Sequence, residues 1–399
     1  MRSLVDVRIS GFAFGGRAVG RDSEGKVCFV RGAVPGETVQ VRLTADKKRY
    51  SEGILERVID ASNVRLAPEC PNRCPGCSYA HVPYEMELDW KTRQFRSFAE
   101  KARLASDPAD FLRDPAGSPV RTGWRSKIRL SLEFSPSAPV QAGYRAEDNH
   151  TLIPVSDCPL AVPEIRDALR TGQWREMLSG KEKTITFRWT KPDGLRIFTD
   201  RGGNALIRDE LEGFGIFETG ESSFFQINPY MSGKLAGEVL KQVRLAAPSL
   251  LVELYCGCGC FSILCTEHLH GLRAWGVELD PMAVQCAAGN ALRHGVADRT
   301  GFEAGDSAEV FRRKYPHGLP PGSLLLVDPP RTGLDPAALK LAAGSRAGWI
   351  VYVSCSPDTL FRDLCLLEKA SYRIVESRLL DLFPSTAHFE TVTLLKARF

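Results

Sequence analysis

The chain has 399 residues, 43% of them apolar and 25% charged, which is enough for two or three domains with their own cores and excludes a disordered chain. A formal net charge of +4 permits a nucleic-acid partner without demanding one. No run of about 18 consecutive apolar residues and no apolar secretory leader is present, so the expectation is a cytoplasmic protein with no membrane segment.

Residues 1–60 read as short strands at 5–9, 27–30, 37–43 and 50–58, separated by glycine turns, which predicts a small β-barrel. Lys47, Lys48 and Arg49, followed by Tyr50, form a basic-aromatic tip suited to RNA, or equally a solvated hairpin tip. A proline- and cysteine-rich stretch at 68–83 follows, then a helix expected over 84–104. Residues 61–217 mix strands and loops and are read as a central α+β domain. Within a strand at 124–134, Arg125, Lys127 and Arg129 alternate and would share one face, as an RNA-backbone stripe or a solvated surface.

From residue 218 to 399 apolar strands alternate with helices, the pattern of a doubly wound parallel sheet; the clearest strands are Leu250–Leu254, 274–278, Ser323–Val327 and 349–353. After the first of them, Gly257 and Gly259 allow a ligand close to the backbone. Glu278 ends the next strand about twenty residues further on, where a carboxylate can accept the ribose hydroxyls of a nucleoside. Asp306 sits where a third strand would end and could face an adenine, and Asp328 closes a fourth strand ahead of two prolines. This ordered series of acids, with no G-x-G-x-x-G phosphate loop, favours S-adenosylmethionine over a dinucleotide.

Twelve cysteines in a reducing compartment raise the question of metal or catalysis. Cys70, Cys74 and Cys77 cluster and, with Cys158, supply four thiolates that can hold either zinc or an iron–sulfur cluster; spacing does not choose between them. Cys355 follows a buried strand on the same sheet edge as the acids and is a candidate nucleophile, although a lone cysteine is more often a small buried hydrophobe.

Ser354-Cys-Ser-Pro357, Asp328-Pro-Pro-Arg331, Phe225-Gln-Ile-Asn228 and His388-Phe-Glu390 resemble the ordered motifs of the RNA uracil-5-methyltransferase family, and the first sixty residues resemble a TRAM domain. The resemblance covers nearly the whole chain. It implies a Rossmann-like methyltransferase domain behind an OB-like barrel, acting on carbon 5 of a uridine in RNA. It further implies Cys355 as nucleophile, Glu390 as base, Gln226, Tyr255, Glu278 and Asp328 around S-adenosylmethionine, and Arg331 near the pyrimidine or a phosphate. A [4Fe–4S] cluster on the four cysteines is implied too, with ribosomal RNA favoured over transfer RNA, and a monomer is expected.

Three positions depart from that pattern: Ser356, Ser126 and Ser385 stand where the family usually has an amide side chain. A hydroxyl reaches less far and makes fewer hydrogen bonds, so substrate geometry is where this chain should differ. The alternatives are a tRNA uracil-5-methyltransferase, a methyltransferase acting on another RNA base, which would not need Cys355, and an RNA-binding relative without turnover.

Overall fold

The computed structural model describes residues 4–67, 70, 74–135, 137–203 and 205–398; part of the stretch at 68–83 lies outside them. Strands β1 (Leu4–Phe12), β2 (Ala18–Asp22), β3 (Val27–Arg31), β4 (Thr38–Asp46) and β5 (Tyr50–Asp60) close into a barrel in the order β1-β2-β3-β5-β4. Strict alternation fills it, with Val7, Ile9, Val39 and Val41 pointing inward. Tyr79 and Val82, from the cysteine-rich segment, pack into the same core.

Helices α1 (Tyr84–Lys101) and α2 (Pro108–Phe111) lead to β6 (Leu112–Ala116). Next come β7 (Lys127–Ser135), β8 (Ala138–Arg145), β9 (Leu152–Pro154), α3 (Pro163–Thr171), β10 (Thr184–Thr190) and β11 (Gly194–Thr199). They form a five-stranded sheet in the order β11-β10-β7-β8-β9, with α3 on one face, and β12 (Leu206–Leu211) and β13 (Gly215–Gly220) add a hairpin.

The last unit contains α4 (Pro229–Ala246), β14 (Leu250–Leu254), α5 (Cys260–His268), β15 (Arg273–Glu278), α6 (Pro281–Arg293), β16 (Thr300–Ala304) and α7 (Ser307–Lys314). It continues with β17 (Ser323–Val327), α8 (Pro336–Gly344), β18 (Trp349–Ser354), α9 (Pro357–Lys369), β19 (Tyr372–Leu380) and β20 (Glu390–Ala397). The strands make one sheet in the order β16-β15-β14-β17-β18-β20-β19-β6. β14 to β18 are parallel and β20 runs antiparallel between β18 and β19. Both faces carry apolar clusters, so the central strands are buried on both sides.

The boundary expected at residue 218 does not follow the packing. β6 pairs in parallel with β19 at the edge of the large sheet, and Phe95, Ala99 and Phe111 lie in the same core as β14, β17 and β18. Residues 84–116 therefore belong physically with the C-terminal unit.

Candidate active site

The chain runs outward from β14 through β15 to β16, then returns to β17 on the other side of β14, which opens a crevice at the carboxyl ends of β14 and β17. A pocket of about 70 Å³ occupies it, lined among others by Phe225, Gln226, Glu253, Tyr255, Gly257 and Asp328. Tyr255 has a φ of 65°, an uncommon conformation for a side chain of its size and a common mark of a functional turn. Gly257 (φ 53°) faces open space, whereas a Cβ on Gly259 (φ 82°) would come within 2.9 Å of the Phe302 ring. One glycine leaves room for a ligand and the other lets α5 pack.

Glu278, at the end of β15, accepts hydrogen bonds from the backbone N–H groups of Gly257 (3.0 Å) and Asp280 (3.0 Å), so its carboxylate is fixed beside the glycine turn. Asp306 has its Oδ1 committed to capping α7, through Ala308 N (3.1 Å) and Glu309 N (2.9 Å). It still adds negative charge near the Tyr255 hydroxyl, together with Asp335 and Glu278. Asp328 is desolvated, which lifts its carboxyl to about 7.

Ser354 of β18 pairs with Thr391 of β20, and one further step along this antiparallel ladder sets Cys355 opposite Glu390. Burial pushes the Cys355 thiol up to about 12, with Glu390 and Asp328 adding to the rise and Arg331 opposing it. Burial likewise raises Glu390 well above the usual carboxylate range, again with Asp328 adding and Arg331 opposing. His388 is pushed down to about 4 by burial and by Arg331. Cys355 and Glu390 thus act on each other and feel both Asp328, which lines the pocket, and Arg331. The loop carrying Asp328 and Arg331 is tied to α9 by Leu334 N donating to Asp363 (2.9 Å) and by the Thr359 hydroxyl donating to Arg331 O (3.2 Å).

The expected basic stripe is not a solvent-facing surface. Arg125 stacks over Trp124 with its Nε buried and unpartnered among the described residues, and its charge sits among Cys74, Cys77, Cys158 and Tyr144. Lys127 donates to the carbonyls of Ser222 (3.3 Å) and Ser223 (3.1 Å), and burial lowers its ammonium to about 8. Of the three, Arg129 alone is exposed. Alternation put them on one face, but the hairpin and the cysteine segment cover that face at two of the three positions. Lys47, Lys48 and Arg49 are exposed at the β4–β5 tip.

Cys74 and Cys77 are hydrogen-bonded to each other, which pulls the Cys74 thiol down to about 6 and drives Cys77 up, and the charge of Cys158 also acts on Cys77. Among the described residues no three side chains are spaced as a metal-ligand set. The departing serines bond locally. Ser126 Oγ donates to Ile227 O (3.0 Å), Ser356 Oγ donates to Asp358 (2.6 Å), and Ser385, at φ 66°, accepts from Arg121 on its hydroxyl (3.3 Å).

Two buried charged features escape a reading of the sequence. Glu253 lies inside β14, accepts from Ser262 N (2.9 Å), and is lifted by burial to about 8; its only signal was an acid in an apolar strand. Lys91 bridges Glu87 (2.7 Å) and Asp381 (2.8 Å) with all three fully buried, joining α1 to the loop that leads into Glu390. A separation of 290 residues leaves no local trace of that contact.

Residues 322–398 match the family model described as tRNA (Uracil-5-)-methyltransferase, and residues 2–55 match the TRAM domain. The chain is 28% identical to the 23S rRNA (uracil(1939)-C(5))-methyltransferase RlmD of Halomonas elongata, over 97% of this chain and 88% of that protein. It is 29% identical to an uncharacterized RNA methyltransferase of Listeria innocua, over 93% of each. Its fold is that of the Pyrococcus abyssi tRNA (uracil-54, C5)-methyltransferase in complex with S-adenosyl-L-homocysteine, with a TM-score of 0.73 at 23% identity, covering 99% of this chain and 100% of that one. With a TRAM match at one end, a uracil-5-methyltransferase match at the other and relatives aligned along nearly the whole length, the chain is similar from end to end to RNA uracil-5-methyltransferases.

Proposed function

We propose that this protein transfers a methyl group from S-adenosylmethionine to carbon 5 of a uridine in RNA, with ribosomal RNA as the first substrate class and transfer RNA as the second. The observation that carries this reading is the β18–β20 register, which runs toward Cys355 and Glu390, two groups that act on each other and on Asp328, a residue lining the crevice pocket. Full-length relatives named for 23S rRNA support the order of substrates.

When bound, S-adenosylmethionine supplies an electrophilic methyl on a positively charged sulfonium. Gln226, Tyr255, Gly257, Gly259, Glu278, Asp306 and Asp328 would hold it, and the fit rests on the open space at Gly257 beside the fixed Glu278 carboxylate. Carbon 5 of uracil is a poor nucleophile. Cys355, once ionised, adds through Sγ to carbon 6 and turns the ring into an enolate whose carbon 5 can take the methyl group. Glu390 then removes the carbon 5 proton. The electrons of that C–H bond rebuild the ring double bond and the Cys355–carbon 6 bond breaks, which frees the thiolate. Arg331 favours the ionised forms of both groups and is the residue to meet a pyrimidine oxygen or a phosphate.

Cys70, Cys74, Cys77 and Cys158 are read as ligands of a [4Fe–4S] cluster, with zinc as the alternative. The reading is supported by the chemistry of three of the four: Cys74 is hydrogen-bonded to Cys77, the charge of Cys158 acts on Cys77, and the cations of Arg125 and Arg31 favour thiolate charge on Cys74. The cluster would fasten the 70–77 segment to the central sheet, and no step of the methyl transfer passes through it.

The test uses purified protein, donor with a labelled methyl group, and unmodified ribosomal and transfer RNA pools digested to nucleosides. Label in 5-methyluridine is expected, in the ribosomal pool first. Label in another nucleoside would discard the Cys355 mechanism, and no label in either pool from protein that binds the donor would favour an RNA-binding relative without turnover.

A further inference from the structure

A cavity of about 300 Å³ lies at the seam between the barrel and α1 and takes no part in the proposed reaction. Phe12 and Phe14 form the barrel side, and Trp90, Arg93, Phe98 and Lys101 form the helix side. The seam is tight, since a Cβ on Gly11 would sit 2.7 Å from the Trp90 ring. Of the two uncharged polar groups of the wall, Gln94 is already spent on the carbonyls of Phe12 (3.4 Å) and Ala13 (3.1 Å), and Ser97 is the other. Apart from that one hydroxyl, what the wall offers is aromatic and cationic. Phe14 is 39% exposed, an unusual place for a phenyl ring, and meets Phe98 edge-on at 5.0 Å. Arg93, ion-paired with Asp89 (2.8 Å), lies over Trp90, 5.3 Å from its centroid, and Lys101 is exposed at the last turn of the helix.

We propose that this cavity holds an unpaired nucleobase of the RNA, stacked on Phe14, with the neighbouring phosphate at Lys101 and Arg93. Exposed rings edged by cations are the combination that single-stranded nucleic acid requires, because every base has a π-face and every linkage a negative charge. An apolar protein segment would have no use for the two cations. The position suits a substrate strand: Phe14 also meets Phe389 at 6.5 Å, and Phe389 immediately precedes Glu390. A strand presenting its uridine to Cys355 therefore has a flanking nucleotide at this seam. The inference rests on the RNA reading above and adds a second contact point to it.

The test measures binding of a fluorescein-labelled oligouridylate to the full chain by anisotropy over a salt series. The same oligonucleotide carrying 4-thiouridine is photo-cross-linked and mapped by mass spectrometry. Phe14→Ala is expected to weaken binding on the order of tenfold, the loss of one stacking platform. Lys101→Glu is expected to weaken it and to flatten the log–log salt slope by about 0.7, the loss of one phosphate contact. Cross-links should fall on Phe14, Trp90 or Phe98, with donor affinity and melting temperature unchanged in both variants. Wild-type affinity in both variants, or cross-links confined to other surfaces, overturns the cavity and leaves the methyltransferase reading standing. A wild-type protein that binds no oligouridylate overturns the cavity together with the RNA reading.

Discussion

Burial holds the Cys355 thiol near 12 and lifts Glu390 in the same direction, with Asp328 adding to both and Arg331 opposing both. A thiol and a carboxylic acid that must lose protons to react give a rate that climbs as pH rises through the neutral range. Removing the opposing cation raises both groups further, so Arg331→Ala is expected to move the climb of kcat/KM to higher pH, and an unmoved profile would separate Arg331 from the reacting pair. Cys355→Ala should abolish methyl transfer while donor binding by calorimetry stays intact. Glu390→Gln should accumulate a covalent protein–RNA adduct on denaturing gels, because the thioether cannot be expelled until the carbon 5 proton leaves. Normal turnover by that variant, with no adduct, would assign the proton to another group. The serine departures were legible as residues but not as contacts. Ser126 and Ser356 spend their hydroxyls on neighbouring groups within the fold, so they shape loops at the cleft.

At the scale of elements, α1 does more than cover the sheet. Its buried Lys91 holds Glu87, Asp381 and the carbonyl of Phe383 (3.2 Å), while Glu87 also accepts from Ser385 N (2.7 Å), so one helix clamps the loop between β19 and β20. Buried ion pairs contribute little net stability but cost much when one partner is removed. Lys91→Met strands two carboxylates and should destabilise the fold by about 3–5 kcal/mol in urea unfolding. A loss under about 1 kcal/mol, the range of an exposed pair, would mean that the triad is open to water. The loop ends at Glu390, so the clamp also sets where that carboxylate stands. Helical periodicity announced α1, yet its ion triad depended on a partner near the other end of the chain.

Across the whole molecule, two buried features tie stability to conditions. Glu253 has its folded carboxyl raised by burial to about 8, well above the usual carboxylate range, so the folded state holds that proton more tightly. Its contribution is complete below about 4.5 and is lost as pH rises toward 8. Glu253→Gln carries no proton to lose, and its melting temperature should fall less than the wild type's over that window; parallel curves would show that Glu253 does not titrate there. The cysteine segment is the second feature. Protein purified without oxygen should carry about four irons and sulfide, and Cys158→Ser should lose both and melt earlier with donor affinity unchanged. Zinc in place of iron would keep the anchoring role and change the metal.

The apolar strands of the parallel sheet, the barrel and the order of acids at strand ends were all readable along the chain, because burial on one or both faces imposes a period of two or an unbroken apolar run on local sequence. Cys355 and the glycine turn were readable for the same reason, each lying directly after such a strand. Tertiary structure alone decided that β6 completes the far edge of the large sheet, that Arg125 and Lys127 turn inward while Arg129 stays out, that Glu390 stands beside Cys355, and that Lys91 locks the loop before it. These are pairings between segments distant in the chain. Local periodicity records which face of an element is buried, and it carries no record of what that face is buried against.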